Sequence, residues 1–191
     1  MQFAVTLSLL LLLPIACSNA NTVTPITAQD LVRLYDLTPH PEGGFFKETF
    51  RDVGVIPHHA LPSQFIKGDR HFSTAIYFLL PEGTKSKLHR ILSDEVWHFY
   101  LGDPLTIVQI SPKGDVEKIV LGHDVQAGQK VQHVVPAGFW FGASPNSGSR
   151  FSFVGCTVAP GFDFADFEMG TRSSLLQQFP QAKDVIELLT D

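Results

Sequence analysis

His89 and Glu95 sit on two neighbouring segments with the residue alternation of β-strands, 85–91 and 94–101. An imidazole and a carboxylate brought together in this way can act as general base and general acid, or supply part of a metal site. Alternation places His89 on one face with Ile91 and extends that row to Lys85 and Lys87. On the second segment Glu95 shares a face with Trp97 and Phe99, whereas His98 falls on the other with Val96 and Tyr100. His98 stays a third catalytic candidate, because a bulge would turn it inward. Arg90 faces away from His89 and suits a bidentate pair with Asp94 or Glu95, or an anchor for an anion. The bland alternative is that His89 and Glu95 bond only to each other in a filled interior, where a carboxylate is costly unless well paired.

Holding two such segments in place takes a sheet scaffold. From Phe45 to Val158 the chain is rich in Val, Ile, Phe, Tyr and Thr, and it is divided by Pro81-Glu82-Gly83, Gly102-Asp103-Pro104 and Pro112-Lys113-Gly114-Asp115. Strands are expected near 44–51, 72–80, 85–91, 94–101, 104–111, 115–121, 131–135, 139–144 and 150–158, an all-β sandwich or barrel. Ser111 to Asp115 reads as a hairpin turn. Thr27-Ala28-Gln29-Asp30 reads as the cap of a short first helix, and 172–179 and 183–189 as two more, divided by Pro180 and packed outside the sheets. Segment 52–71 lacks periodicity and is expected to be a long surface loop, of the kind that can roof a pocket.

Gly83 to Gly102 resembles the first cupin motif, G-x5-H-x-H-x3-E-x6-G, with Ile91 in place of the second histidine. Val135-Pro136-Ala137-Gly138-Phe139-Trp140-Phe141 resembles the core of the second motif, with Phe141 where the last metal ligand stands. The blocks Pro39 to Arg51, Ser73 to Tyr77, His89 to Phe99 and Val154 to Phe162 are similar to the fifth-numbered cupin family, a domain of unknown function. The resemblance implies a double-stranded β-helix, the cupin jelly roll, formed as one domain over 21–191 with short helices at both ends. It also implies that the faces bearing His89 and Glu95 look into the barrel; the candidate ligand-binding residues are Tyr77, Arg90, Trp97, Phe99, Trp140 and Phe141. Such a lining, mostly aromatic with a few polar groups, suits a small molecule.

Ile91 and Phe141 fill two of the four ligand places that the motifs supply, so no cofactor is expected; a divalent metal held through a substitute such as His98 is the open alternative. The resemblance then implies three functions. The first is metal-independent epimerase or isomerase chemistry on a small polar, sugar-like ligand, with His89 and Glu95 as the acid/base pair. Small-molecule binding without chemistry is the second, and a metal-dependent oxygenase or isomerase ranks last. A homodimer is a further expectation from the resemblance. Pro41-Glu42-Gly43-Gly44 reads as a tight turn, and Glu42, Glu48 and Arg51 as a structural ion network at the barrel mouth. His40, His58, His59, His71, His123 and His133 show no metal-ligand spacing.

The chain has 191 residues, 44% hydrophobic and 17% charged, with a formal net charge of −5. That balance suits one globular domain and offers no broad basic face for nucleic acid. Met1 to Ala20 carries the apolar run Leu7 to Ile15 and ends in Ser18-Asn19-Ala20, the pattern of a cleaved export signal. A secreted or extracellular protein is therefore expected, with no membrane partner after cleavage. Lipidation at Cys17 is the second reading of the same segment. Cleavage after Ala20 leaves Cys156 as the one thiol, in a strand context that suits a buried, inert side chain. Amino-terminal sequencing of the mature protein should begin at Asn21; a lipid-modified Cys17 or an intact Met1 would refute that cleavage.

Overall fold

Strands that alternate between apolar and polar residues must cover one face, and sheets do so by packing on each other. The computed structural model of the chain, which describes residues 25–191, contains two such sheets. The export signal expected at 1–20 lies outside the described residues. One sheet runs, in spatial order, β1 (Thr38–Pro39), β2 (Phe45–Arg51), β5 (Thr74–Pro81), β12 (Phe151–Ala159), β7 (Asp94–Gly102) and β10 (Gln132–Val135). The other runs β13 (Glu168–Met169), β6 (Ser86–Arg90), β11 (Trp140–Pro145), β8 (Leu105–Ile110) and β9 (Val116–Leu121). Every pairing within them is antiparallel. The longer strands fall on the expected segments with their ends moved by a residue or two, and the fold is the all-β jelly roll that the resemblance implies.

The main core lies between the sheets, where Phe78, Trp97, Phe99 and Val154 meet Leu105, Ile107, Phe141 and Ala143. Helices cover the outer faces. α1 (Ala28–Leu34) is closed by a capping box in which the Thr27 hydroxyl accepts from the Asp30 N–H at 3.2 Å and the Asp30 carboxylate accepts from the Thr27 N–H at 2.9 Å. Its Leu31 packs on Leu79, Phe151 and Phe153. α2 (Arg172–Gln178) and α3 (Lys183–Leu189) place Leu175, Val185, Ile186 and Leu189 over Leu88, Val108 and Trp140 on the outside of the second sheet, as their periodicity predicts. The turn after β8 closes through a bond from the Ser111 N–H to the Asp115 carbonyl at 2.9 Å.

Segment 52–71 is more anchored than a surface loop. It contains the small ladder of β3 (Val55–Ile56) with β4 (Arg70–His71), and it buries Phe65 and Arg70. The Arg70 guanidinium makes a bidentate pair with Asp166, a residue of the turn that follows β12. Its remaining nitrogen donates to the Gly68 and Asp69 carbonyls at 3.1 and 2.8 Å.

Three irregularities in pairing shape the interior. One of them, in β6 against β11, sets the four residues from Ser86 to His89 against the three from Ala143 to Phe141. The turn before β2 docks on this same stretch, where the Lys87 N–H donates to the Glu42 carbonyl at 2.9 Å. At Gly43, φ is +118°, and a Cβ there would stand 2.1 Å from the Lys85 carbonyl oxygen. Only glycine fits so close an approach. Gly43→Ala should cost about 3 kcal/mol or more in denaturant unfolding. A loss below about 0.5 kcal/mol would show that the turn does not need this contact.

Candidate functional site

A cavity of about 240 Å³ is enclosed by β2, β5, β6, β7 and β12, the turn before β2 and the segment after β12. Its polar interior comes from three elements. The docked turn brings in His40 and Glu42, the bulged β6 brings in His89, and the start of β7 brings in Glu95. The walls are apolar, with Ile76, Phe78, Ile91 and Val158 among them.

Glu42 is the hub of this group. One carboxyl oxygen accepts from the Ser86 hydroxyl at 2.6 Å, and the other lies 3.2 Å from His89 Nε2 and 3.4 Å from His40 Nδ1. The ring of His89 has a fixed tautomer. Its Nδ1 sits 2.8 Å from the Lys87 carbonyl, which can only accept, so Nδ1 carries the hydrogen. In a neutral ring Nε2 is then a base, and the proton that satisfies its contact with Glu42 comes from the carboxyl group. Burial pushes the Glu42 carboxyl up to about 7, opposed by His40 and the Ser86 hydroxyl. Burial also lowers His89, opposed by the charge of Glu95 and the bond to Lys87. Both shifts favour the neutral acid beside the neutral imidazole.

Glu95 has the second perturbed carboxyl. Burial raises it to about 7, with His89 holding it back and Glu42 adding to the rise. The Cys156 thiol and Trp97 indole lie beside it, and the Trp97 Nε1–H makes no hydrogen bond of ordinary geometry among the described residues. Burial raises the thiol of Cys156 well above its ordinary value, which keeps it protonated and makes it an inert wall residue. Two carboxyl groups that titrate near neutrality thus flank one imidazole in a sheltered space, an arrangement able to take a proton from a bound molecule and return one.

Of the catalytic candidates, His89 and Glu95 line the cavity and His98 does not. His98 sits on the outer face of its sheet, 3.0 Å from the Thr157 hydroxyl and 3.1 Å from the Gln132 amide nitrogen, because β7 keeps plain alternation from Glu95 to Phe99. Tyr77 is also outside, packed against Tyr35, Tyr100 and Phe153. Arg90 lies outside as well, paired with Glu168 at 2.7 Å and stacked over Trp140, which belongs to the core beneath the helices. Trp97, Phe99 and Phe141 do point inward, as core side chains. Phe141 lies 4.1 Å from the His89 ring, centre to centre, and supports it. The row expected to continue through Lys87 and Lys85 breaks at the bulge. Ser86 points inward in their stead, and the two ammonium groups reach the chain's last residues, Asp191 and the Leu188 and Thr190 carbonyls.

His40 and Glu42 are the site residues that sequence reasoning missed. Glu42, expected in an ion network with Glu48 and Arg51, is buried and stands apart from them. Those two do pair, at 2.6 Å, on the cavity's edge. A glutamate inside a Gly-Gly turn was the available signal, since a turn that tight brings its neighbours against another strand.

The cupin motifs raise the question of a metal. Ile91 and Phe141 are buried where two ligands would stand, and Glu42 and His89 are engaged with each other. Among the described residues no group of three or more His, Cys, Asp or Glu side chains is arranged to hold an ion. This donor set does not fit a metal centre of the usual kind.

Comparison with known proteins agrees with the fold. Residues 29–170 match the family described as Cupin superfamily (DUF985). The uncharacterized protein YML079W of Saccharomyces cerevisiae is 33% identical over 151 residues, 74% of each chain. Protein SO0799 of Shewanella oneidensis has a solved structure with a TM-score of 0.78 and 39% identity, covering 87% of this chain and 99% of its own. A hypothetical protein from Leishmania major gives a TM-score of 0.79 and 32% identity, over 86% and 99%.

The raised carboxyls make stability depend on pH with a definite sign. A group lifted from 4.5 to about 7 stabilises the fold below 4.5, and that contribution is lost as pH rises through about 7. The lowered imidazoles act oppositely below their ordinary value of 6.5, so the carboxyl effect stands alone above it. Glu95→Gln should therefore be more stable than the natural protein at about pH 8, by about 2 kcal/mol, with the advantage shrinking toward about pH 5. Urea unfolding at both values reads this, and an advantage that does not change with pH would contradict it.

Proposed function

The chain belongs to the cupin superfamily, in the family described as DUF985, and from that premise we propose that it is an exported protein that holds a small molecule in its barrel and moves protons on it without a bound metal. The observation that carries this reading is the contact of His89 Nε2 with Glu42 at 3.2 Å, in a cavity that Glu95 also enters. In the ionised form Glu95 takes a proton from carbon next to a carbonyl of the ligand. The Glu42 acid, backed by His89, delivers a proton to the opposite face or to the carbonyl oxygen. The first course gives an epimerase; the second gives an enediol, which becomes the isomer when Glu95 returns its proton to the former carbonyl carbon and Glu42 takes one from the neighbouring hydroxyl. Neither changes the oxidation state of the ligand as a whole; epimerisation leaves the two carboxyls with exchanged roles, and isomerisation returns both to their starting forms.

Binding without chemistry is the competing reading, and the apolar walls Ile76, Phe78 and Val158 favour it. It needs the walls and has no use for a shared proton.

The two separate in heavy water. Incubation with a panel of sugars and small hydroxy-carbonyl compounds, followed by proton NMR, should show deuterium entering beside the carbonyl of the true substrate. Glu42→Gln and His89→Asn should each slow that entry by about 10²- to 10⁴-fold while the fold persists. Bound ligand recovered without deuterium would leave the carrier reading in place, and undiminished exchange in Glu42→Gln would remove Glu42 from the proton path.

A further inference from the structure

The cavity holds a charge imbalance that proton transfer does not use. Glu48, Asp163 and, in its ionised form, Glu95 line it beside the neutral acid of Glu42, against one guanidinium, that of Arg51. Arg51 is already satisfied: it donates to both oxygens of Glu48 at 3.0 and 2.6 Å and to the Phe162 carbonyl at 3.2 Å. Arg70, near Asp163, is committed to Asp166. Burial lowers the imidazoles of His40 and His89 and so favours their neutral forms, and among the described residues no free cation lines the cavity.

Glu95 is the group left over. It is 8% exposed, lines the cavity, and accepts no hydrogen bond of ordinary geometry among the described residues; its polar neighbours are His89, Glu42, the Cys156 thiol and the unpartnered Trp97 indole. The Cys156 thiol and Trp97 indole serve such a carboxyl only weakly, and its burial leaves room for a stronger partner from a ligand.

The walls fit the same kind of partner. Phe46, Phe78, Phe162, Phe164 and Phe167 all border the cavity. Phe164 packs edge-to-face with Phe162 at 5.0 Å and with Phe167 at 5.8 Å, and it is 53% exposed. Aromatic faces carry negative potential and attract alkylated cations without hydrogen bonds. An anion would meet carboxyls with no free counter-charge.

We propose that the cavity selects a small organic cation, an alkylated ammonium or a protonated amine, with its nitrogen toward Glu95 and its carbon groups against the phenylalanine rings. The inference rests on the barrel cavity being the ligand site and is independent of any proton chemistry there. It has a linked consequence. A cation stabilises the ionised carboxyl, so binding below about pH 7 must release a proton and weaken as pH falls.

Calorimetry on the full chain tests this with choline, tetramethylammonium and butylammonium, set against dimethylbutanol, the neutral carbon isostere of choline. At about pH 8 at least one cation should bind about tenfold or more tighter than the alcohol, and about tenfold weaker at about pH 6, while the alcohol shows no pH dependence. Glu95→Gln should lose about tenfold in cation affinity together with the pH dependence. Phe164→Leu, at an exposed position that the fold tolerates, should weaken the cation several-fold and leave the alcohol unchanged. Equal binding of alcohol and cations overturns the proposal, as does failure of all three cations to bind at millimolar concentration. Cation binding without deuterium exchange on any substrate would remove the proton-transfer reading alone. Exchange on a substrate with no cation binding would remove this one alone.

Discussion

A carboxyl group taken out of water at the end of a barrel constrains everything around it. Glu42 reaches its position only because Gly43 lets the turn press against the Lys85 carbonyl, and because β6 bulges to present Ser86 and His89 together. Neither device suffices alone. With a Cβ at position 43 the turn would stand off, and with an unbulged β6 an ammonium group would occupy the place of the Ser86 hydroxyl. The cost of burying the acid is offset by the Ser86 bond and the nearby imidazoles. The site is thus a junction of a turn and a strand irregularity, laid over a regular jelly roll.

That distinction explains what could be read in advance. Strand positions follow from alternation and turn chemistry, and the inward setting of His89, Glu95, Trp97 and Phe99 follows from parity. Parity also sends His98 and Arg90 outward, as found. The same rule failed for Lys85 and Lys87, because a bulge inserts a residue and inverts everything on its far side without leaving a mark in composition. Tyr77 and Trp140 entered the candidate set through blocks of family resemblance, and counting alternation from Phe78 and Phe141 would have placed both outside. His40 and Glu42 were beyond alternation altogether, since a turn has no period and only its docking on β6 reveals its role.

The departures from the cupin metal motifs have a common physical sense. Phe141 does more than vacate a ligand position: its ring lies against the His89 imidazole and, with Trp97 and Phe78, forms a chain of edge-to-face contacts through the core. Ile91 likewise joins the core cluster. Apolar volume at both positions dries the interior, and a dry interior raises the carboxyls toward neutrality. The substitutions that weaken a metal site therefore create the conditions under which carboxyl and imidazole groups can exchange protons directly.

The tie between Arg70 and Asp166 bears on how a molecule would enter. It joins two stretches far apart in the chain, the segment before β5 and the turn carrying Phe164, and the guanidinium has no nitrogen left to trade. Separating the two stretches would break that buried pair, which ties this part of the rim together. Phe164 is the exception, a half-exposed ring on that border. Rotation of that one side chain, an event of about picoseconds to nanoseconds, alters the opening without any displacement of the backbone.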